Sequence, residues 1–320
     1  MKYQLKSLFI SLLLISTIPA QGMSARVKAL LPIIGTAAYY GLIAYPFWAN
    51  AYKKIKVINE KYDKNIDPGQ PITGFVQYEL GKIGINKPIP VQMEKTRNEG
   101  SAETNGRTIS LGFSHDGTSK LEKILVEQQR LVKLLDEDPS NESIKDAIKK
   151  TEYDLDWYQF LVQHEGTHIK NHDNEKDLIA HVITPFILCG ATRGLNSLIF
   201  TSPKPTIGTY AGKIALGLTA VFLGKLAIMQ YAKHKEYKAD DGVQDDPYVL
   251  KAGIEHFKQH EKKQAEEFIK KNPGTSYEEL QRFPFSVFYS IHHISHPVPL
   301  KRAQRLEQRL AGLQAPTVTA

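Results

Sequence analysis

The chain has 320 residues, with 41 lysines and arginines against 34 aspartates and glutamates, a formal net charge of +7. Hydrophobic residues make up 42% and charged residues 23%, which excludes a disordered, collagenous or low-complexity chain. One cysteine, Cys189, excludes an intrachain disulfide framework and any zinc site built on two thiolates; a metal here would need imidazole and carboxylate donors, and the chain carries 11 histidines.

Lys2 and Lys6 precede the apolar run Leu8 to Ile18, and Pro19-Ala20-Gln21-Gly22 closes it. A charged start, a short apolar centre and a small-residue exit read as a signal peptide over residues 1–25. An uncleaved N-terminal anchor is the alternative. Ala29 to Ala49 follows, 21 residues without a charge, with Tyr39, Tyr40, Tyr45 and Trp48 as interfacial aromatics. That is the length of a bilayer span.

Outside its apolar stretches the chain reads as soluble α+β. Ile72 to Gly84 has the spacing of an amphipathic helix, ended by Asn86-Lys87-Pro88. Pro90 to Met93 and Thr108 to Gly112 read as short strands, with Asn105-Gly106 as a hairpin turn between them. A charged helical hairpin over 118–154 follows, read as a solvated insertion. Its first arm is the amphipathic Leu121 to Leu135, stopped by Asp138-Pro139, and its second opens a long helix from about Ser143 to Lys170.

Two more apolar stretches, Leu178 to Phe200 and Ile207 to Tyr231, are joined by Ser202-Pro203-Lys204-Pro205. Each is long enough to cross a bilayer. His181, Arg193 and Asn196 interrupt the first and Lys213 and Lys225 the second, so a re-entrant or surface-lying hairpin is the alternative. A further amphipathic helix is expected over Pro247 to Lys271, ended by Asn272-Pro273-Gly274. No basic stripe interleaved with aromatics is present, so no nucleic-acid partner is expected.

Late in the long helix stands His164-Glu165-Gly166-Thr167-His168, an H-E-x-x-H pattern. The i, i+4 spacing sets the two histidines on one face, about 6 Å apart along the axis, where both imidazoles reach one ion. Glu165, one step round the helix, faces the reacting water rather than the metal. A catalytic zinc needs a third protein donor. His172 is too far along a straight helix, about 12 Å from His164. Glu236, in Glu236-Tyr237-Lys238-Ala239-Asp240, supplies a carboxylate, and Asp240, four residues on, can accept the free ring N–H of a ligand histidine. His296-Pro297 to Arg302 then forms an H-P-x-x-x-x-R pattern.

In this order, H-E-x-x-H, an apolar pair, E-x-x-A-D and H-P-x-x-x-x-R, the chain resembles the membrane gluzincin endopeptidases. That family includes the HtpX heat-shock proteases, the CAAX prenyl proteases and the Oma-type mitochondrial proteases. The resemblance implies an α+β, mainly α-helical zinc-protease domain over 67–310. It holds the insertion at 118–154 and the apolar hairpin at 178–231, with 311–320 as a flexible tail. One zinc per chain would be held by His164, His168 and Glu236. Glu165 would be the general base and acid, Asp240 the partner of a ligand histidine, and His296 and Arg302 the pair near the oxyanion and the Glu236 helix. Where the family carries an Asn-Ala pair beside the cleft, this chain reads Asn98-Glu99-Gly100-Ser101-Ala102-Glu103.

The function expected is peptide-bond hydrolysis on protein or peptide substrates at a membrane, in membrane-protein quality control. A low-turnover assembly or chaperone-like factor on the same fold is the alternative. The basic cluster Lys53, Lys54 and Lys56 after the first span places the zinc domain on the cytoplasmic face of a bacterial inner membrane. Signal export with a periplasmic domain is the other arrangement.

Overall fold

The structure, a computed structural model, describes residues 36–53, 69–94, 102–112, 119–200, 206–274 and 297–314. The chain divides into two compact units, Met1–Glu60 with Lys176–Gln230, and Lys61–Glu175 with Tyr231–Ala320. Among the described residues the fold is mainly helical, with one small sheet.

The second unit begins with helix α2, Gln70–Lys82, which buries Ile72, Val76 and Leu80. Strands β1, Val91–Glu94, β2, Ala102–Thr104, and β3, Ile109–Gly112, form one sheet in the order β1-β3-β2. β3 lies between the other two and is buried throughout. It pairs parallel with β1, Val91 opposite Ile109, and antiparallel with β2, Thr104 opposite Ile109. The Asn105-Gly106 turn therefore joins β2 to β3, and the expected hairpin between 90–93 and 108–112 is corrected. The segment between them holds a strand of its own, too short and too polar (Ala-Glu-Thr) to show an alternating pattern.

Helix α3, Lys120–Glu137, starts where the Ser119 hydroxyl accepts from Leu121 N at 3.2 Å. Helix α4, Glu142–Lys170, starts where the Asn141 side chain accepts from Ile144 N at 3.3 Å. These caps satisfy backbone donors that the first helical turn leaves free. The charged hairpin is not a solvated appendage. Leu121 and Ile124 join Leu80, Ile109, Leu111, Tyr158 and Val162 in the main core, and Leu131 is buried as well. Each such fully buried aliphatic side chain contributes about 1.5–3 kcal/mol, so α3 is built into the domain.

Helix α7, Pro247–Lys271, has Asp246 as its cap, accepting from Tyr248 N at 2.8 Å, and Pro247 in its first turn, where a missing N–H costs nothing. With helix α8, Pro299–Gln314, it builds a second core of Val249, Leu250, Ile254, Phe257, Ala303 and Leu306 around Phe160 of α4. Helix α4 thus has one face on each core. Helix α8 runs to Gln314, into the segment expected to be a flexible tail.

The first unit contains residues 36–53, helix α1, and most of α5, Asp173–Ile199, and α6, Ile207–Asp241. The α5 and α6 helices are long and apolar enough to cross a membrane. Phe186, Ile187, Leu198 and Ile199 of α5 and Leu218, Phe222 and Leu223 of α6 are exposed. Large apolar side chains facing outward in such numbers need an apolar partner. The signal-like segment, residues 29–35 of the first expected span and the Pro-containing turn at 201–205 lie outside the described residues.

Candidate metal centre

The sequence packs α4 unusually close to its neighbours at the H-E-x-x-H turn. Gly166, between the two histidines, faces α2, and a Cβ there would overlap Leu80 and reach within 2.8 Å of Ile83. Gly242, just past the end of α6, meets Thr167 in the same way, since a Cβ would overlap the threonine side chain. Between them, buried Gln163 donates to Glu79 Oε2 at 2.8 Å and accepts from Gln244 N at 2.8 Å. Lys82 Nζ completes the set at 2.9 Å from Glu79 Oε1. The H-E-x-x-H helix is therefore bolted to α2 on one side and to the end of α6 on the other.

That second contact brings Glu236 and Asp240 to the histidines. His164 Nε2 lies 3.6 Å from Glu236 Oε2, and His168 Nε2 lies 3.7 Å from Glu236 Oε1. These separations are too long for hydrogen bonds. Two donors about 2.0–2.2 Å from one ion at a tetrahedral angle stand roughly 3.4 Å apart, so the spacing fits a shared ion. Donor atoms of all three residues lie within 4.8 Å of one another. The two imidazole rings stand at 89° with centroids 4.9 Å apart, edge to face rather than stacked.

Each histidine is held from behind. His164 Nδ1 lies 3.0 Å from Asp240 Oδ1, and His168 Nδ1 lies 2.7 Å from Asp173 Oδ2. A carboxylate at Nδ1 holds a proton there and turns Nε2 toward Glu236. Arg302 holds Asp240 in turn, through Nε to Oδ2 at 2.8 Å and Nη2 to Oδ1 at 2.5 Å, and its Nη1 lies 3.5 Å from Glu236 Oε2. The guanidinium also sits over the Phe257 ring, 4.1 Å from its centroid, an arrangement that desolvates it.

The electrostatics follow from this packing. Burial alone would push the His164 imidazole down, but the carboxylates of Asp240 and Glu236 outweigh it and hold the metal-free ring up at about 9. Burial alone would raise the Asp240 carboxyl, but Arg302 and His164 hold it below the usual carboxylate range. Glu165 goes the other way. Burial raises its pKa, with Glu236 adding to the effect and the two histidines opposing it. The Thr104 backbone N–H bonds to the Glu165 carboxylate, which sets strand β2 beside it.

The structure thus brings together His164, Glu165, His168, Glu236, Asp240 and Arg302. His296 lies outside the described residues, as do Asn98 to Ser101; Ala102 and Glu103 belong to β2. His172 is not part of the cluster. It ends α4 in the left-handed region, at φ 54, and turns the chain into α5. Sequence reasoning missed Asp173, whose only trace is an aspartate five residues after the second motif histidine. It also missed Gln163, Glu79 and Gly242, which carry no chemical signature at all. Compared with protein-family models, curated proteins and solved structures, the chain matches none.

Proposed function

We propose that the protein is a zinc-dependent metalloendopeptidase of the membrane, built like the gluzincin proteases it resembles. One observation carries the reading: the two Nε2 atoms that face one carboxylate at 3.6 and 3.7 Å, with a second carboxylate, Glu165, beside them. Two imidazoles and a carboxylate are a donor set of catalytic zinc enzymes, and carboxylate-backed histidines are characteristic of such centres.

His164, His168 and Glu236 would hold the ion. Bound zinc supplies a Lewis acid that polarises the scissile carbonyl and lowers the pKa of the attacking water. The protein's own groups do the rest. Asp240 and Asp173 keep the protons of His164 and His168 on Nδ1. Arg302 keeps Asp240 ionised and offsets the negative charge gathered at the site. Glu165, made more basic by burial, takes the proton of the attacking water and delivers it to the leaving amine. Strand β2, at the edge of the sheet, has an N–H at the catalytic carboxylate and a backbone edge on which an extended peptide can pair. By the resemblance, His296 would be a donor to the developing oxyanion.

Membrane attachment rests on α5 and α6, which leave the site region after Asp173 and return to it before Glu236. A hairpin that leaves and returns keeps both halves of the metal site on one side of the bilayer. The basic cluster after residue 49 favours the cytoplasmic side. The deciding experiment for function compares wild type with Glu165→Gln on an unfolded protein substrate in detergent. The variant should bind one zinc as wild type does and cleave about 10²–10⁴-fold more slowly. Wild-type cleavage by Glu165→Gln, or a wild type that does not cleave, would reject the protease reading.

A further inference from the structure

The geometry points to Asp173 as the positioning residue of the second metal ligand, and so as a determinant of metal affinity supplied by the first residue of an apolar helix. This inference rests on the metal-site reading above. Asp173 Oδ2 stands 2.7 Å from His168 Nδ1, and the two side chains are 7% and 12% exposed. No solvent-exposed ion pair is involved. The contact is short enough for a charge-assisted hydrogen bond, and it directs His168 Nε2 toward Glu236.

The chain is built to hold the aspartate there. Helix α4 closes where Asn171 N donates to Thr167 O at 2.9 Å. His172 follows at φ 54, a conformation uncommon for a non-glycine residue, and it reverses the chain. Asp173 then opens α5 directly under His168. Its neighbour Asn174 donates from Nδ2 to Thr104 O at 3.3 Å, and a Cβ at Gly106 would come within 3.1 Å of the Asn174 side chain. One corner, residues 171–174, thus anchors a metal ligand, the edge strand and the start of a membrane-length helix together. The His164 side has its matching support in Asp240 near the other end of the apolar pair, so each ligand histidine is backed by a carboxylate from a different helix.

The test is metal affinity rather than turnover. Full-length protein in detergent, stripped of metal, is titrated with zinc against a competing chelator and with cobalt by its visible spectrum. Wild type should bind one ion and His168→Ala none. Asp173→Ala should weaken zinc about 10–100-fold and change the cobalt spectrum. Asp173→Asn keeps the shape and the helix start but loses the charge, and should weaken zinc several-fold. His172→Gly should bind as wild type, since only the backbone at that position matters. If Asp173→Ala does not fold, Asp173→Asn decides. Wild-type affinity in either folded Asp173 variant overturns this inference and leaves the metal site standing. A wild type that takes up no zinc or cobalt overturns both.

Discussion

Asp240 and Arg302, 62 residues apart in the chain, meet through two hydrogen bonds of 2.8 and 2.5 Å directly behind His164. Asp240 is 1% exposed as a side chain and Arg302 11%. The pair makes sense only with the rest of the site. Three carboxylates, Glu165, Glu236 and Asp240, crowd this end of α4, and all three act on the Arg302 guanidinium. The arginine neutralises part of that charge while leaving every imidazole Nε2 free.

Arg302→Ala should therefore destabilise the fold by about 3–5 kcal/mol, because it leaves buried carboxylates uncompensated. Arg302→Lys should recover only part of the loss, since an ammonium cannot make the paired contact. Thermal unfolding in detergent, metal-free and zinc-loaded, measures both.

Zinc stoichiometry should be one per chain for wild type and close to zero for His168→Ala and Glu236→Ala. Elemental analysis after gel filtration reads it directly. Zinc retained at the wild-type level by either variant would remove that residue from the ligand set.

The pH dependence has opposite signs for the metal-free protein and for metal binding. The folded pKa of His164 is about 9 against the usual 6.5. Stability from that proton is fully present below about pH 6.5 and is lost as pH rises through about 9. Metal needs the nitrogen neutral, so zinc affinity should rise over the same window, at most about tenfold per pH unit for one proton released. Titrations at several pH values and metal-free melts should diverge in this way, and His164→Gln should flatten the His164 contribution to the melts.

Gly242→Ala should cost about 1–3 kcal/mol, because the added methyl meets Thr167 where α6 docks on the motif helix. Zinc affinity should fall with it, as Glu236 and Asp240 share that helix. Gly74→Ala, in α2 with open space around it, is the control and should be neutral or stabilising by up to about 1 kcal/mol. Equal melts for the two variants would deny the close approach.

Topology is testable with Cys189→Ser as background and Ser143→Cys as probe, since Ser143 lies exposed at the start of α4. An impermeant thiol reagent should label the probe only after the membrane is opened. Labelling in intact cells would place the metal domain outside and leave its chemistry as proposed.

Much of the local structure was legible because it depends on residues close in sequence. Pro247 marks the start of α7, and Asn272 its end, from turn chemistry alone. The i, i+4 spacing of His164 and His168 places both rings on one helix face, and that of Glu236 and Asp240 does the same. The strands were half legible. Residues 109–112 are buried throughout, whereas Ala102–Thr104 is three residues long, and its pairing is decided by β3 rather than by its own composition.

Composition and spacing by themselves determined the donor chemistry. One cysteine left only imidazoles and carboxylates, and H-E-x-x-H with E-x-x-x-D named five of the residues that meet. Only the tertiary structure decided how they meet, because the contacts span distances that no periodicity encodes. Thr167 lies against Gly242, Gln163 reaches Gln244 and Glu79, and Asp173 turns back under His168 through a left-handed His172. The same holds for the charged hairpin. Its surface charge reads as solvated, yet Leu121 and Ile124 lie in the main core, because burial is set by what packs opposite a helix face and not by the charge of its outer side.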